Sequence, residues 1–239
     1  MKGELHEIWV YLSTTPLLGL TVTLCAYVLG YYLYRKCRFN PLINPVLIAV
    51  LLLVSLLLAS DTPYSRYFEG AQFVHFMLGP ATVALAVPLY RQFHLVRRSA
   101  SAVAVALAFG SLTAVLSAIG IAWLLGASRA TLLSLAPKSV TTPVAMGIAE
   151  QIGGLPSLTA VLVILSGITG AVLGTYTLDL VRVKDWRARG LAMGVASHGI
   201  GTARAFTVNE VAGAFSSLAM GLNALATAVL VPVLMALLT

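Results

Sequence analysis

Charge is what this chain has least of. Charged residues occupy 10% of its 239 positions, where a soluble domain carries roughly 25%. Hydrophobic residues fill 59%. That balance excludes a separate soluble domain and leaves one integral membrane domain over residues 1–239. The fold class is all-α, because apolar runs of this length read as helices and a spanning helix satisfies its own backbone. Cysteine is almost absent: Cys25 and Cys37 have neither metal-ligand spacing nor a disulfide framework. Acidic residues and histidines form no cluster, so no metal and no cofactor is expected. A basic arm is also missing. The net charge of +7 comes from short clusters between apolar runs, which excludes nucleic acid as a partner. Met1 to Glu7 lack the basic start and cleavage site of a signal peptide, so the first span is expected to be retained.

The apolar runs are arranged as about six to eight transmembrane segments, some broken or re-entrant in the manner of transporters. Spans are expected near 8–33, 42–59, 100–125, 158–180 and 211–237. A further hydrophobic segment, 64–90, is broken at Gly79-Pro80 and again by Pro88. Basic residues cluster at 35–38, 91–98 and 182–189, so these loops are expected on the cytoplasmic side. Asp61 and Glu69 lie in the loop between, expected outside. A full crossing of Arg129–Gly154 would place loop 182–189 outside, so this passage is expected to dip in and return. The alternative is a full broken crossing.

Two polar passages interrupt this apolar chain. The first is Ala136-Pro137-Lys138-Ser139-Val140-Thr141-Thr142-Pro143, and the second is Ser197-His198-Gly199-Ile200-Gly201-Thr202-Ala203-Arg204. Cations in lipid are expensive and mark sites by default, and irregular backbone survives there only inside protein or beside a watery cavity. The two passages are expected to face each other as halves of one substrate site. Lys138 would supply a compact positive charge, and Ser139 and Thr141 hydroxyl donors. Thr142-Pro143 reads as an N-cap and a first-position proline, aiming a helix N-terminus at an anion. Gly199 and Gly201 allow tight turns, Thr202 caps the following helix, and Arg204 in its first turn suits a carboxylate. The bland readings are that Lys138 snorkels to an interface and that Arg204 pairs with Glu150 or Glu210. His198, Glu150 and Glu210 are candidates for proton coupling, against plain capping and solvation. Helix breaks are expected at Gly79, Pro80, Pro137 and Pro143. Asn223, alone in the last span, is expected to bond a neighbouring helix. No nucleophile-elbow pattern surrounds Ser139, so no enzyme is expected.

These passages resemble the LrgB family, also described as CidB-like or antiholin-like. The resemblance rests on Leu135-Ala-Pro-Lys-Ser-Val-Thr-Thr-Pro-Val-Ala-Met146, Ile152-Gly-Gly-Leu-Pro-Ser-Leu-Thr-Ala160 and Gly167-Ile-Thr-Gly-Ala171. It continues in His198-Gly-Ile-Gly-Thr-Ala-Arg-Ala205, Leu218-Ala-Met220 and Leu78-Gly-Pro-Ala-Thr-Val-Ala-Leu-Ala86. It implies a multi-pass protein of the bacterial cytoplasmic membrane with a small LrgA- or holin-like membrane protein as partner. A role in controlling murein hydrolase activity and lysis is also implied. Similar plastid proteins are glycolate/glycerate translocators, which implies transport of small monocarboxylates, with proton coupling as a candidate feature. The expected partners are a small carboxylate, the holin-like protein, the lipid bilayer and, as a separate expectation, a second copy in a homo-oligomer, a dimer.

Overall fold

A computed structural model describes residues 16–77, 80, 83, 84 and 86–238. The chain forms two compact units, Met1–Ala84 and Leu85–Thr239. In the first unit, α1 (Pro16–Lys36), α2 (Pro45–Ala59) and α3 (Tyr64–Phe76) pack together. Asn44 starts α2 by accepting from the N–H groups of Val46 and Leu47, with Pro45 in the first turn where no N–H is missed. Gly19 lies against the Tyr67 carbonyl and Gly30 against that of Pro45, so α1 approaches both neighbours at backbone distance. Such small-residue contacts replace the hydrophobic drive that lipid cannot supply. Pro80 is exposed in this unit, and its neighbour Gly79 lies outside the described residues.

The second unit holds α4 (Ala86–Arg91), α5 (Phe93–Arg98), α6 (Ala100–Leu124), α7 (Arg129–Leu135), α8 (Thr142–Gln151), α9 (Pro156–Leu180), α10 (Trp186–Val208) and α11 (Glu210–Leu238). Pro88 sits inside the first turn of α4 and does not break it. Four described helices are long and apolar enough to cross a membrane: α1, α6, α9 and α11. The polar passages lie between the last three.

The first passage doubles back on itself. Ser134, near the end of α7, accepts from the Leu155 N–H at 2.8 Å through its hydroxyl and from the Thr159 hydroxyl at 3.0 Å through its carbonyl. Four residues on, the Lys138 carbonyl accepts from Ser166 at 3.0 Å. The chain thus advances along α9 from Leu155 to Ser166, reverses, and comes back as α8. A methyl group at Gly154 would meet the backbone of Leu133 and Ser134. Entry and exit are neighbours, so α7 and α8 form a re-entrant hairpin with its tip at 138–141.

The second passage does the same from the other end of α9. His198 has φ 41° and ψ −133°, which splits α10 into halves 186–197 and 199–208. The first half runs beside α11 in the same direction, with Gly190 on Ala212 and Gly194 on Ser216. The second half runs backwards, with Thr202 on Ser216 and Phe206 on Gly213. Trp186, Arg189, Arg204 and Val208 gather beside Thr175 and Leu178, near the end of α9. Two hairpins therefore enter from opposite ends of α9 and bring their tips to its middle. Arg187 donates to the Ser99 hydroxyl at 3.2 Å, so basic segments 91–98 and 182–189 share one end of this unit. That is the arrangement the positive-inside rule demands of two loops on one side.

Helices α6 and α11 run past both hairpins and pack on each. Val115 and Val231 join Ala136, Val140, Ala145 and Ile148 of the first hairpin. Val103 and Phe215 join Leu191 and Val195 of the second.

Candidate functional site

Broken helices leave backbone groups without helical partners, and at this depth each must find another. The tips answer with side chains. At the first tip, two short turns, Lys138 N to Leu135 O at 3.0 Å and Val140 N to Pro137 O at 3.3 Å, carry the chain out of α7. Thr141, in extended backbone, stands at the N-cap of α8 without a side-chain capping bond. The expected cap at Thr142 is thus one residue late: Thr142 is already helical. Pro143 opens α8 instead of breaking a helix, since first-turn N–H groups lack helical partners anyway. The true break is the turn around buried Pro137. Lys138 is half-buried beside this helix start, where the positive end of the α8 dipole and uncapped N–H groups favour an anion.

At the second tip, the His198 ring is buried, and its Nε2–H donates to the Val163 carbonyl at 3.0 Å. That bond fixes which ring nitrogen carries hydrogen, because a carbonyl only accepts. The ring fits because α9 has no side chain there: a methyl at Gly167 would stand 2.6 Å from Cε1 and Nε2. Thr202 does not cap the following helix. It lies within it, donates to the His198 carbonyl at 2.8 Å, and receives the Ser216 hydroxyl at 2.9 Å. Gly199 is half-buried with space around it: a methyl there would have Met220 Sδ as its neighbour, at 3.9 Å. Gly201, by contrast, is pressed against Ser197 and the Met193 carbonyl. The glycine at 201 is what lets the two halves of α10 lie so close.

Asn223 joins the two tips. Its amide donates to the Ser139 carbonyl at 3.0 Å and to the Val195 carbonyl at 3.3 Å. Its Oδ1 accepts from Ser111 at 2.5 Å and Thr227 at 3.5 Å. Lys138 adjoins Ser139 at the held tip, and its own carbonyl accepts from Ser166 of α9. Ser139 and Ser197, both buried, carry hydroxyls with no hydrogen-bond partner among the described residues. The site is thus a polar junction of Lys138, Ser139, Ser197, His198 and Asn223 in an apolar bundle.

The other expected residues lie elsewhere. Arg204 does not stand beside Lys138. The reversal at His198 carries it six residues back, about 9 Å of helix rise, to the base of the second hairpin near Trp186 and Arg189. There its Nη1 donates to Thr207 at 3.4 Å. Glu150, in the last turn of α8, and Glu210, in the first turn of α11, are exposed near the hairpin bases. Neither reaches the junction. Sequence reasoning set Ser197 in the second passage without a role of its own and missed Ser111 and Ser166, small hydroxyls that look like packing residues in apolar helices. It recognised Asn223 as a helix-to-helix donor but gave no sign that one amide serves both passages.

Opposed hairpins between long apolar helices define an all-helical polytopic membrane protein. The LrgB-like family model matches residues 23–237, and the chain belongs to that family. It is 40% identical to the uncharacterized protein YwbG of Bacillus subtilis (strain 168) over 192 residues, 80% of this chain and 85% of that one. It is 36% identical to the uncharacterized protein YxaC of the same organism, over 85% of this chain and 88% of YxaC. The antiholin-like protein LrgB of Bacillus cereus (strain B4264) is 32% identical over 223 residues, 93% and 97% of the two chains. No solved structure matches. With bacterial relatives along nearly its whole length and four apolar helices, this is a multi-pass bacterial membrane protein.

Proposed function

We propose that this chain is a secondary transporter whose solute, a small monocarboxylate such as glycolate, glycerate or pyruvate, is held where the two hairpin tips meet. The observation that carries the reading is the lysine at the junction. Lys138 is half-buried at the uncapped start of α8, where an anion would gain both its charge and the helix N–H groups. Lipid makes such a cation costly, and a chain with only a structural task has no use for it there.

A second reading has the relatives' names behind it and not the site. The Bacillus cereus relative is named antiholin-like, and none of these names speaks of a solute. On that reading the chain regulates murein hydrolase activity and lysis through a holin-like membrane partner. The names favour this reading and the junction chemistry favours transport. The two are compatible, because moving a weak acid also changes the proton gradient.

The test is calorimetric titration of the purified protein with glycolate, glycerate, pyruvate and lactate. One of them is expected to bind. Lys138→Ala should weaken it by roughly ten- to a hundredfold, the scale of a hydrogen bond to a charged group. Lys184→Ala, on an exposed loop, should leave binding unchanged. Absence of binding by the wild-type protein would leave the antiholin-like reading alone.

A further inference from the structure

We infer that Asn223 is a latch that holds both hairpin tips shut and must let go of one of them for the junction to open. The inference deepens the transport reading and rests on it for its purpose, though not for its geometry.

Both carbonyls that Asn223 holds stand at the helix breaks. Four residues beyond Ser139 stands Pro143, which has no N–H to offer as a helical donor. Four residues beyond Val195 stands Gly199, across the non-helical backbone of His198. Each carbonyl thus lies within four residues of the feature that makes its hairpin turn. The Asn223 amide supplies one N–H to each, at 3.0 and 3.3 Å. Its orientation is forced: two carbonyls can only accept, and the Ser111 and Thr227 hydroxyls close the other side on Oδ1.

Both N–H groups and the oxygen of a fully buried side chain are in use. Such a group rigidifies its surroundings when satisfied and loosens them when it is not. Asn223 sits on α11, which runs past both hairpins as one continuous helix, so neither tip can leave without breaking one of its bonds. Ser139, which carries one held carbonyl, and Ser197, two residues from the other, have hydroxyls with no partner among the described residues, which a solute entering the opened junction would meet. Release at Ser139 frees the first hairpin, and release at Val195 frees the second. Alternation between those two breakages would expose the junction to one end of the bundle at a time.

The experiment uses the full chain with Cys25 and Cys37 replaced by serine, reconstituted in vesicles. Single cysteines at Thr141 and at Gly199, where a side chain has room, report on the two tips through labelling by a membrane-impermeant maleimide. Asn223→Asp keeps the shape but turns the donors into an acceptor facing two carbonyls, and Asn223→Ala removes them. Either should speed labelling at both positions by roughly tenfold, the scale of losing a buried hydrogen bond. Gly120→Ala, where nothing lies within 4 Å, should leave the tips as they were. If Asn223→Ala does not fold, Asn223→Ser carries the same expectation, since a helical serine can satisfy itself on its own helix. Folded variants that label at the parental rate at both tips would overturn the latch. Flux of labelled glycolate in the same vesicles separates the two claims. Faster labelling without any wild-type flux upholds the latch and removes transport, whereas flux with unchanged labelling removes the latch alone.

Discussion

At the scale of single residues, the junction depends on what is missing as much as on what is present. Gly167, Gly170 and Gly174 line the face of α9 toward α10, where methyl groups would run into His198, Ser197 and Met193. At Gly170 the added carbon would overlap the Ser197 hydroxyl outright. Overpacking of this kind typically costs about 1–3 kcal/mol. Gly167→Ala is expected to displace the His198 ring from Val163 and to lower the thermal midpoint of the detergent-solubilised protein. Gly120→Ala, where nothing lies within 4 Å, should leave that midpoint unchanged or raise it slightly. Equal losses at both positions would show that the glycines matter for the helix and not for the contact. Arg189 makes the complementary point. It is buried, but donates to Asp179 at 2.6 Å and to the Val183 carbonyl at 2.9 Å, and stacks 5.2 Å over Trp186. It is a brace for the loop it leaves, and its charge is already spoken for.

At the scale of elements, the question is how a hairpin so poor in apolar surface is started and stopped. The second hairpin begins at Asp185, whose carboxylate caps α10 by accepting from the Arg187 N–H at 2.8 Å and also pairs with the Arg187 guanidinium. Hydrogen bonding to Arg187 holds the Asp185 carboxyl below the ordinary range, against a smaller desolvation effect. A depressed carboxyl contributes stability above its unfolded pKa and loses it as pH falls through the folded one. The cap is therefore expected to be intact at neutral pH and to fail only in acid, beneath the usual carboxylate range. Asp185→Asn should keep the helix start, because asparagine caps as well, and should abolish that acid dependence. Asp185→Ala should loosen the first turn at every pH, read as faster amide exchange at Arg187 and Ala188. If exchange there is the same in all three proteins, the cap has no role in holding the hairpin base.

At the scale of the whole bundle, two hairpins entering from opposite ends give a topology that can be read from outside. Cysteines at the exposed positions Ser128 and Gln151 flank the first hairpin, and at Lys184 and Glu210 they flank the second. In a background without Cys25 and Cys37, each pair should label from one face of a sealed vesicle, and the two pairs from opposite faces. The 184/210 pair should take the cytoplasmic face, since segments 91–98 and 182–189 meet there and carry the basic residues. Labelling of 128 and 151 from opposite faces would make the first passage a full crossing.

The class of molecule and the place of its irregularities are legible without any coordinates. Apolar runs, basic loops and the two passages around Lys138 and His198 are local signals, written in hydropathy and in proline and glycine. The charge rule favoured a return of Arg129–Gly154 over a full broken crossing, because it places loop 182–189 on the side of loop 91–98. Which polar residues meet is settled only in three dimensions. Arg204 and His198 are six positions apart in one motif, yet the reversed backbone keeps His198 at the tip and sends Arg204 to the base. Nothing local announces a positive φ at a histidine, since it is held by the Val163 carbonyl and the space above Gly167, both contributed by another helix. Asn223 likewise reads as one polar residue in an apolar span. Only when two breaks leave a carbonyl each within reach of one amide does it become the point where the hairpins are joined.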